Sequence, residues 1–210
     1  MYRLIGLILL ISAAHGQIQL AGNCSTDIDY EKNITLTEFL GQWYEIERIG
    51  NSFENGHCTT LTLTYVLNSH GDVVVYVSNQ EVVNGQFSIR NGTILPDENF
   101  QFSVIYPDGV SFDVAILKTN FNEFAILYSC QNNDKGKSVM AWKLSRTPTA
   151  SNTSLTNFDT VVKNNADLVN ATWFTPSHSK EACTIRNNAT NLRISSIILI
   201  LFALFMSKEV

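Results

Sequence analysis

The side chains able to do covalent or metal chemistry are few and poorly placed for it. Cys24, Cys58, Cys130 and Cys183 lie far apart with no Cys-x-x-Cys, so a zinc site is not expected, nor any other metal. His57, His70 and His178 fall in loops, and His15 sits in an N-terminal leader. A haem ligand would need a histidine at a cavity mouth; His70, in a turn, is the marginal candidate and reads more simply as solvated. There is no Ser/His/Asp order and no Gly-rich phosphate loop. The chain is expected not to be an enzyme and to need no cofactor.

The cysteines instead fit an exported chain. Arg3, the apolar run Leu4–Ile11 and the small residues of Ala14-His15-Gly16 make a secretory leader over residues 1–16, cut before Gln17, with Gly22 a lesser option. An even cysteine count in such a chain reads as two disulfides, for which three pairings exist. Asn-x-Ser/Thr sequons stand at Asn23, Asn33, Asn91, Asn152, Asn170 and Asn188, which points to heavy glycosylation. At the other end Ile194–Met206 is apolar but spans only about 20 Å as a helix, against a hydrocarbon core of about 30 Å. Small polar residues precede it, the pattern of a glycosylphosphatidylinositol (GPI) anchor signal with Asn188 as its attachment (ω) site and residues 189–210 removed. The alternatives are a short membrane span or a buried helix. The expected organisation is therefore leader 1–16, one domain over 17–188, and propeptide 189–210. The protein is expected at the cell surface, or secreted if the tail is not processed. Net charge is −5, with 14 Lys+Arg against 19 Asp+Glu and no basic cluster, so no nucleic-acid partner is expected.

Between these ends, alternating apolar and polar residues with a turn about every ten residues predict eight short antiparallel strands. They cover Trp43–Gly50, Thr60–Leu67, Asp72–Glu81, Gln86–Thr93, Phe100–Tyr106, Ser111–Lys118, Glu123–Cys130 and Lys137–Arg146. Leu155, Phe158, Val161 and Val162 then recur at helical spacing, with Thr153 or Ser154 as the expected cap. Eight strands followed by one helix predict an all-β fold, an antiparallel up-and-down barrel with the helix outside. Parity places Leu61, Leu63, Tyr65 and Leu67 on one face of their strand, and Met140, Trp142, Leu144 and Arg146 on one face of the last strand.

The stretch Leu40-Gly-Gln-Trp-Tyr-Glu-Ile-Glu-Arg-Ile49, followed by Phe53-Glu-Asn-Gly-His-Cys58, resembles the lipocalin family, in its apolipoprotein D and insect Lazarillo branch. Thr119–Cys130 and Ala141–Arg146 resemble the second and third family motifs in the right order. Asn120 and Phe121 replace the usual acid and tyrosine, which puts that loop's hydrogen bonds in question. The resemblance implies that Gly41, Trp43 and Arg146 form the closed barrel base, with the guanidinium stacked on the indole. It also implies disulfides Cys24–Cys130 and Cys58–Cys183.

For function, the resemblance implies one small hydrophobic ligand in the barrel: a retinoid, a fatty acid, a sterol-like lipid or a bilin. Tyr65 and Trp142 match aromatic lining positions of the family, and Leu61, Leu63 and Met140 join them by parity. Asn79 and Glu81 lie in a family-like Asn-Gln-Glu run and are expected to supply polar contacts. Ala115 stands where a lining tryptophan is usual, implying a wider or reshaped cavity. Parity alone does not separate pocket lining from plain core. The other functional class is a glycosylated cell-surface recognition or adhesion protein, with an unknown protein partner and an incidental pocket. The Lazarillo resemblance suggests a role in neuronal development, and the branch as a whole a role in lipid or stress protection.

Overall fold

Strand alternation buries one face per strand, and a sheet with one apolar face hides it best by closing on itself. The computed structural model, which describes residues 18–32, 34, 36–67, 69–96 and 102–186, has that form. In chain order the elements are β1 (Ile18–Leu20), α1 (Leu36–Phe39), β2 (Gly41–Ile49), β3 (His57–Leu67), β4 (Val73–Val83), β5 (Gln86–Pro96), β6 (Phe102–Ile105), β7 (Ser111–Thr119), β8 (Phe124–Asn133), β9 (Gly136–Ser145), α2 (Asn152–Asn164) and β10 (Trp173–Phe174). Each strand from β2 to β9 pairs antiparallel with the next, and β9 returns to β2 through Tyr44↔Ser145 and Arg48↔Trp142. That seam closes an eight-stranded barrel. Short β1 adds to β9 at Ile18↔Val139, and β10 adds to β2 at Trp173↔Ile49.

The barrel has two different ends. Residues 50–56, the Asn84-Gly85 turn, residues 106–110 and the turn before Gly136 gather at the mouth. The floor is made by α1, the start of β2 and residues 120–123. One apolar cluster fills the inside, from Phe39 and Trp43 through Val77, Phe112 and Leu127 to Trp142. A second lies between the outer wall and α2, where Phe158 meets Phe124 edge-on with ring centroids 5.8 Å apart.

Two local expectations need correcting. The N-cap of α2 is Ser151, whose Oγ accepts from the Ser154 N–H at 3.1 Å; Ser154 instead lies buried on the wall-facing side. Leu155 is exposed, because the stripe that meets the barrel runs through Ser154, Phe158, Val161 and Val162. The leader 1–16, the sequon Asn33, the ω site Asn188 and the propeptide 189–210 lie outside the described residues. Among the described residues no helix is long and apolar enough to cross a membrane.

Candidate functional site

At the floor, Trp43 is fully buried and donates its indole N–H to the Phe39 carbonyl at 2.9 Å. Phe39 stacks on one side of it at 4.6 Å, and the Arg146 guanidinium carbon lies 3.6 Å from its ring centroid. Arg146 donates to the carbonyls of Phe121 and Gln42, both at 2.9 Å, tying β9 to β2 and to the 120–123 loop. Gly41 holds φ +90, a conformation that disfavours any side chain, and the Arg146 guanidinium lies 3.4 Å from where its Cβ would be. The Asn120 substitution leaves the loop intact. Its carboxamide oxygen accepts from the N–H groups of Glu123 and Phe124 at 2.9 and 3.1 Å, as an aspartate would.

Above this floor is a cavity, with Leu36 and Phe39 below and Leu61, Leu63, Val77, Ile94, Val104, Val114, Ile116, Leu127 and Leu144 around it. It is narrow, with about 70 Å³ open to the centre of a water molecule. Phe53 from the mouth loop stacks on Phe112 at 5.5 Å, and Phe112 stacks on Trp142 at 5.7 Å, forming an aromatic lid. Arg90 lies against the rings of Phe53 and Tyr106, at 4.7 and 4.1 Å, and pairs with Asp108 at 2.6 Å.

The mouth side of the wall carries buried charge. Glu45 shares the inward face of β2 with Trp43, and a bulge between Glu45 and Glu47 turns Arg48 to that same face. Arg48 donates to Glu45 Oε1 at 2.5 Å and to the carbonyls of Glu54 and Gly56 at 3.0 and 3.3 Å. Glu54 accepts from the Trp142 indole at 2.8 Å, from Asn79 Nδ2 at 2.6 Å and from the Asn51 amide. Burial, with the nearby Glu54 carboxylate adding to it, pushes the Glu45 carboxyl up to about 8 against the pull of Arg48. Burial also raises Glu54, opposed by its hydrogen bonds from Trp142 and Asn51.

The expected lining residues divide. Trp142, Leu61, Leu63 and Asn79 lie at the cavity wall. Tyr65 does not: β2 begins opposite Leu63, so Tyr65 and Leu67 run past the floor and are 55% and 65% exposed. Met140, one inward position nearer the mouth than Trp142, packs in the barrel core without reaching the cavity. Glu81 instead anchors the mouth loop, its Oε2 accepting from the Asn55 and Gly56 N–H groups at 3.1 and 2.6 Å. Ala115 does not widen the cavity, because Val114 and Ile116 hold the inward positions of β7. Glu45, Arg48 and Glu54 were not anticipated. Parity with Trp43 marks Glu45, but the bulge hides Arg48 from strict alternation.

The cysteines pair as Cys24–Cys130 and Cys58–Cys183, with no free thiol among the described residues. The second bridge, with the Arg186 N–H donating to the Gly85 carbonyl at 2.7 Å, brings the end of the described chain to the mouth. Asn23, Asn91, Asn152 and Asn170 are exposed. Of the histidines, His57 accepts from the Ser177 N–H at 3.0 Å and His178 Nε2 lies 2.7 Å from the Glu45 carbonyl. His70 is exposed in its turn. No group of three metal-ligating side chains lies together among the described residues.

Comparison with known proteins agrees with this architecture. Residues 40–180 match the model of the lipocalin / cytosolic fatty-acid binding protein family. The chain is 33% identical to apolipoprotein D of Oryctolagus cuniculus over 129 residues, covering 58% of this chain and 64% of that protein. It is 27% identical to insecticyanin-B of Manduca sexta over 188 residues, covering 84% and 88%. The solved structure of Manduca sexta insecticyanin superposes with a TM-score of 0.70 at 24% identity, over 80% of this chain and 93% of that one. A match across most of the chain, a barrel closed on the Trp43–Arg146 stack and an apolar interior together place this protein in the lipocalin family.

Proposed function

We propose that the protein is an extracellular carrier for one small hydrophobic ligand held inside the barrel. The observation that carries this reading is the apolar cavity between the Trp43–Arg146 floor and the Phe53–Phe112–Trp142 lid. Ligand pockets usually enclose about 300–1,000 Å³, so the lid on residues 50–56 must yield as the ligand loads. Trp142 is the reporter: it lines the cavity and is 6% exposed. Titrating the protein with a panel of retinoids, fatty acids, sterols and bilins is expected to give saturable quenching of tryptophan fluorescence for at least one class. Replacing Trp142 by Ala is expected to weaken that ligand by removing buried contact area, at about 25 cal/mol per Å². Absence of saturable binding across the panel would sink the carrier reading and leave the recognition glycoprotein.

The setting proposed for this carrier is the outer leaflet, through a GPI anchor at Asn188, with glycans at the exposed sequons. Arg186 beside Gly85 supports a tether leaving from the mouth end, a position suited to exchange of a lipid with the membrane. Phosphatidylinositol-specific phospholipase C is expected to release the protein from intact cells. Lipase resistance together with a mature C-terminus at Val210 would instead favour a short membrane span. A role in neuronal development or in lipid or stress protection rests on the Lazarillo and apolipoprotein D resemblance.

A further inference from the structure

We propose that the cavity selects ligands whose polar head donates a hydrogen bond, an alcohol or an amide, over ligands ending in a carboxylate. The inference rests on the carrier reading and specifies its ligand class. Two carboxyl groups, Glu45 and Glu54, stand at the wall, and no Lys, Arg or His is among the described lining residues. The nearby cations face elsewhere. Arg48 bonds Glu45 and two backbone carbonyls, while Arg90 is held against Phe53 and Tyr106 and paired with Asp108. A carboxylate head would therefore share a low-dielectric space with buried carboxyls and no compensating charge.

Of the buried atoms without a partner among the described residues, the donors Arg48 Nε, Arg90 Nη1 and Trp173 Nε1 belong to residues outside the cavity lining, whereas Asn79 Oδ1 and Thr59 Oγ1 stand at the wall itself. Asn79 donates its Nδ2 to Glu54 Oε1 at 2.6 Å, and that bond fixes the amide orientation, because the opposite flip would set oxygen against carboxylate. Its Oδ1, a pure acceptor, is buried without a partner. Thr59, 3% exposed and also at the wall, has an Oγ1 without a partner, and its hydroxyl can accept as well as donate, so it too can meet an alcohol or amide head. A buried acceptor left unpaired is costly, and a ligand O–H or N–H that reaches it recovers that cost. A carboxylate oxygen brings only another acceptor. Sites built to pair with a donor discriminate strongly against ligands lacking one.

The test compares retinol with retinoic acid at neutral pH, since the two share an apolar body and differ at the head. Tryptophan quenching of the purified protein is expected to show retinol binding at least tenfold tighter. Asn79→Leu is expected to weaken retinol several-fold while leaving retinoic acid nearly unchanged, and Thr59→Val to weaken retinol several-fold, with circular dichroism checking that each variant folds. Retinoic acid binding as tightly as retinol, or retinol unaffected in a folded variant, would overturn the inference and leave the carrier reading standing. Binding of neither retinoid, nor of oleyl alcohol, oleic acid, or any sterol or bilin of the panel, would overturn the carrier reading itself.

Discussion

Glu45 shows how a single side chain ties the cavity to pH. Its carboxyl is raised from 4.5 to about 8, chiefly by burial. The native state therefore holds a proton that the unfolded chain has released between those values. By linkage, stability from this group is present at low pH and falls as pH rises from about 4.5 through about 8. Glu45→Gln isolates the effect, because the amide oxygen can still accept from Arg48 but does not titrate. Denaturant unfolding at pH 5, 7 and 9 is expected to show the wild type losing stability relative to this variant as pH rises. A wild-type-to-variant difference that does not change with pH would refute the assignment. At this scale the sequence was only partly legible. Trp142 and Trp43 could be placed by parity and motif, whereas Tyr65 was misplaced because alternation sets a residue's face but not whether the barrel extends that far.

Among the elements, the mouth loop is tightly constrained. Gly56 passes so close to β4 that a Cβ there would lie 2.8 Å from both Glu81 Oε2 and the Val82 carbonyl oxygen. The Glu81 side chain has rotamers to retreat into, but the backbone carbonyl does not. Retreat would also break the bonds from Glu81 to the Asn55 and Gly56 N–H groups. Gly56→Ala is expected to cost about 1–3 kcal/mol in thermal or denaturant unfolding, and to loosen the Phe53 lid, raising ligand dissociation rates. A stability change below about 0.5 kcal/mol, the size of an ordinary surface substitution, would show that the loop accommodates the methyl group elsewhere. The eight barrel strands were legible in the sequence because apolar or alternating runs are separated by turn residues about every ten positions. The short elements offered no such signal: β1 has three residues and α1 four, too short for any period, and they are held by contacts such as those with β9 and with Trp43.

For the whole molecule, the two disulfides fasten the chain's outer segments to the barrel across sequence separations of 106 and 125 residues. Loops of that size correspond to about 4–5 kcal/mol of unfolded-state entropy before any strain. Replacing Cys58 and Cys183 together by Ser is expected to cost about 2–5 kcal/mol, measured by denaturant unfolding, and to expose the segment after β10 to proteolysis. A stability loss under about 1 kcal/mol would mean that the segment is held by its hydrogen bonds at the mouth. The pairing itself came from family resemblance, since spacing alone left three options open.

The seam between β2 and β9 also governs the order in which the molecule can form. Tyr44 meets its partner Ser145 only after every intervening strand has been made. Strands β3 to β8 can zip hairpin by hairpin as they emerge, but the open edge of β2 must wait, its N–H and C=O groups unpaired, for the last strand to arrive. Such late closure across a long loop belongs to the slow, millisecond-to-second regime of non-local β topologies, and a chain stalled short of Ser145 carries an adhesive edge. On the export route proposed for this carrier, the hazard lies in that interval, and it ends when the first barrel strand meets the last.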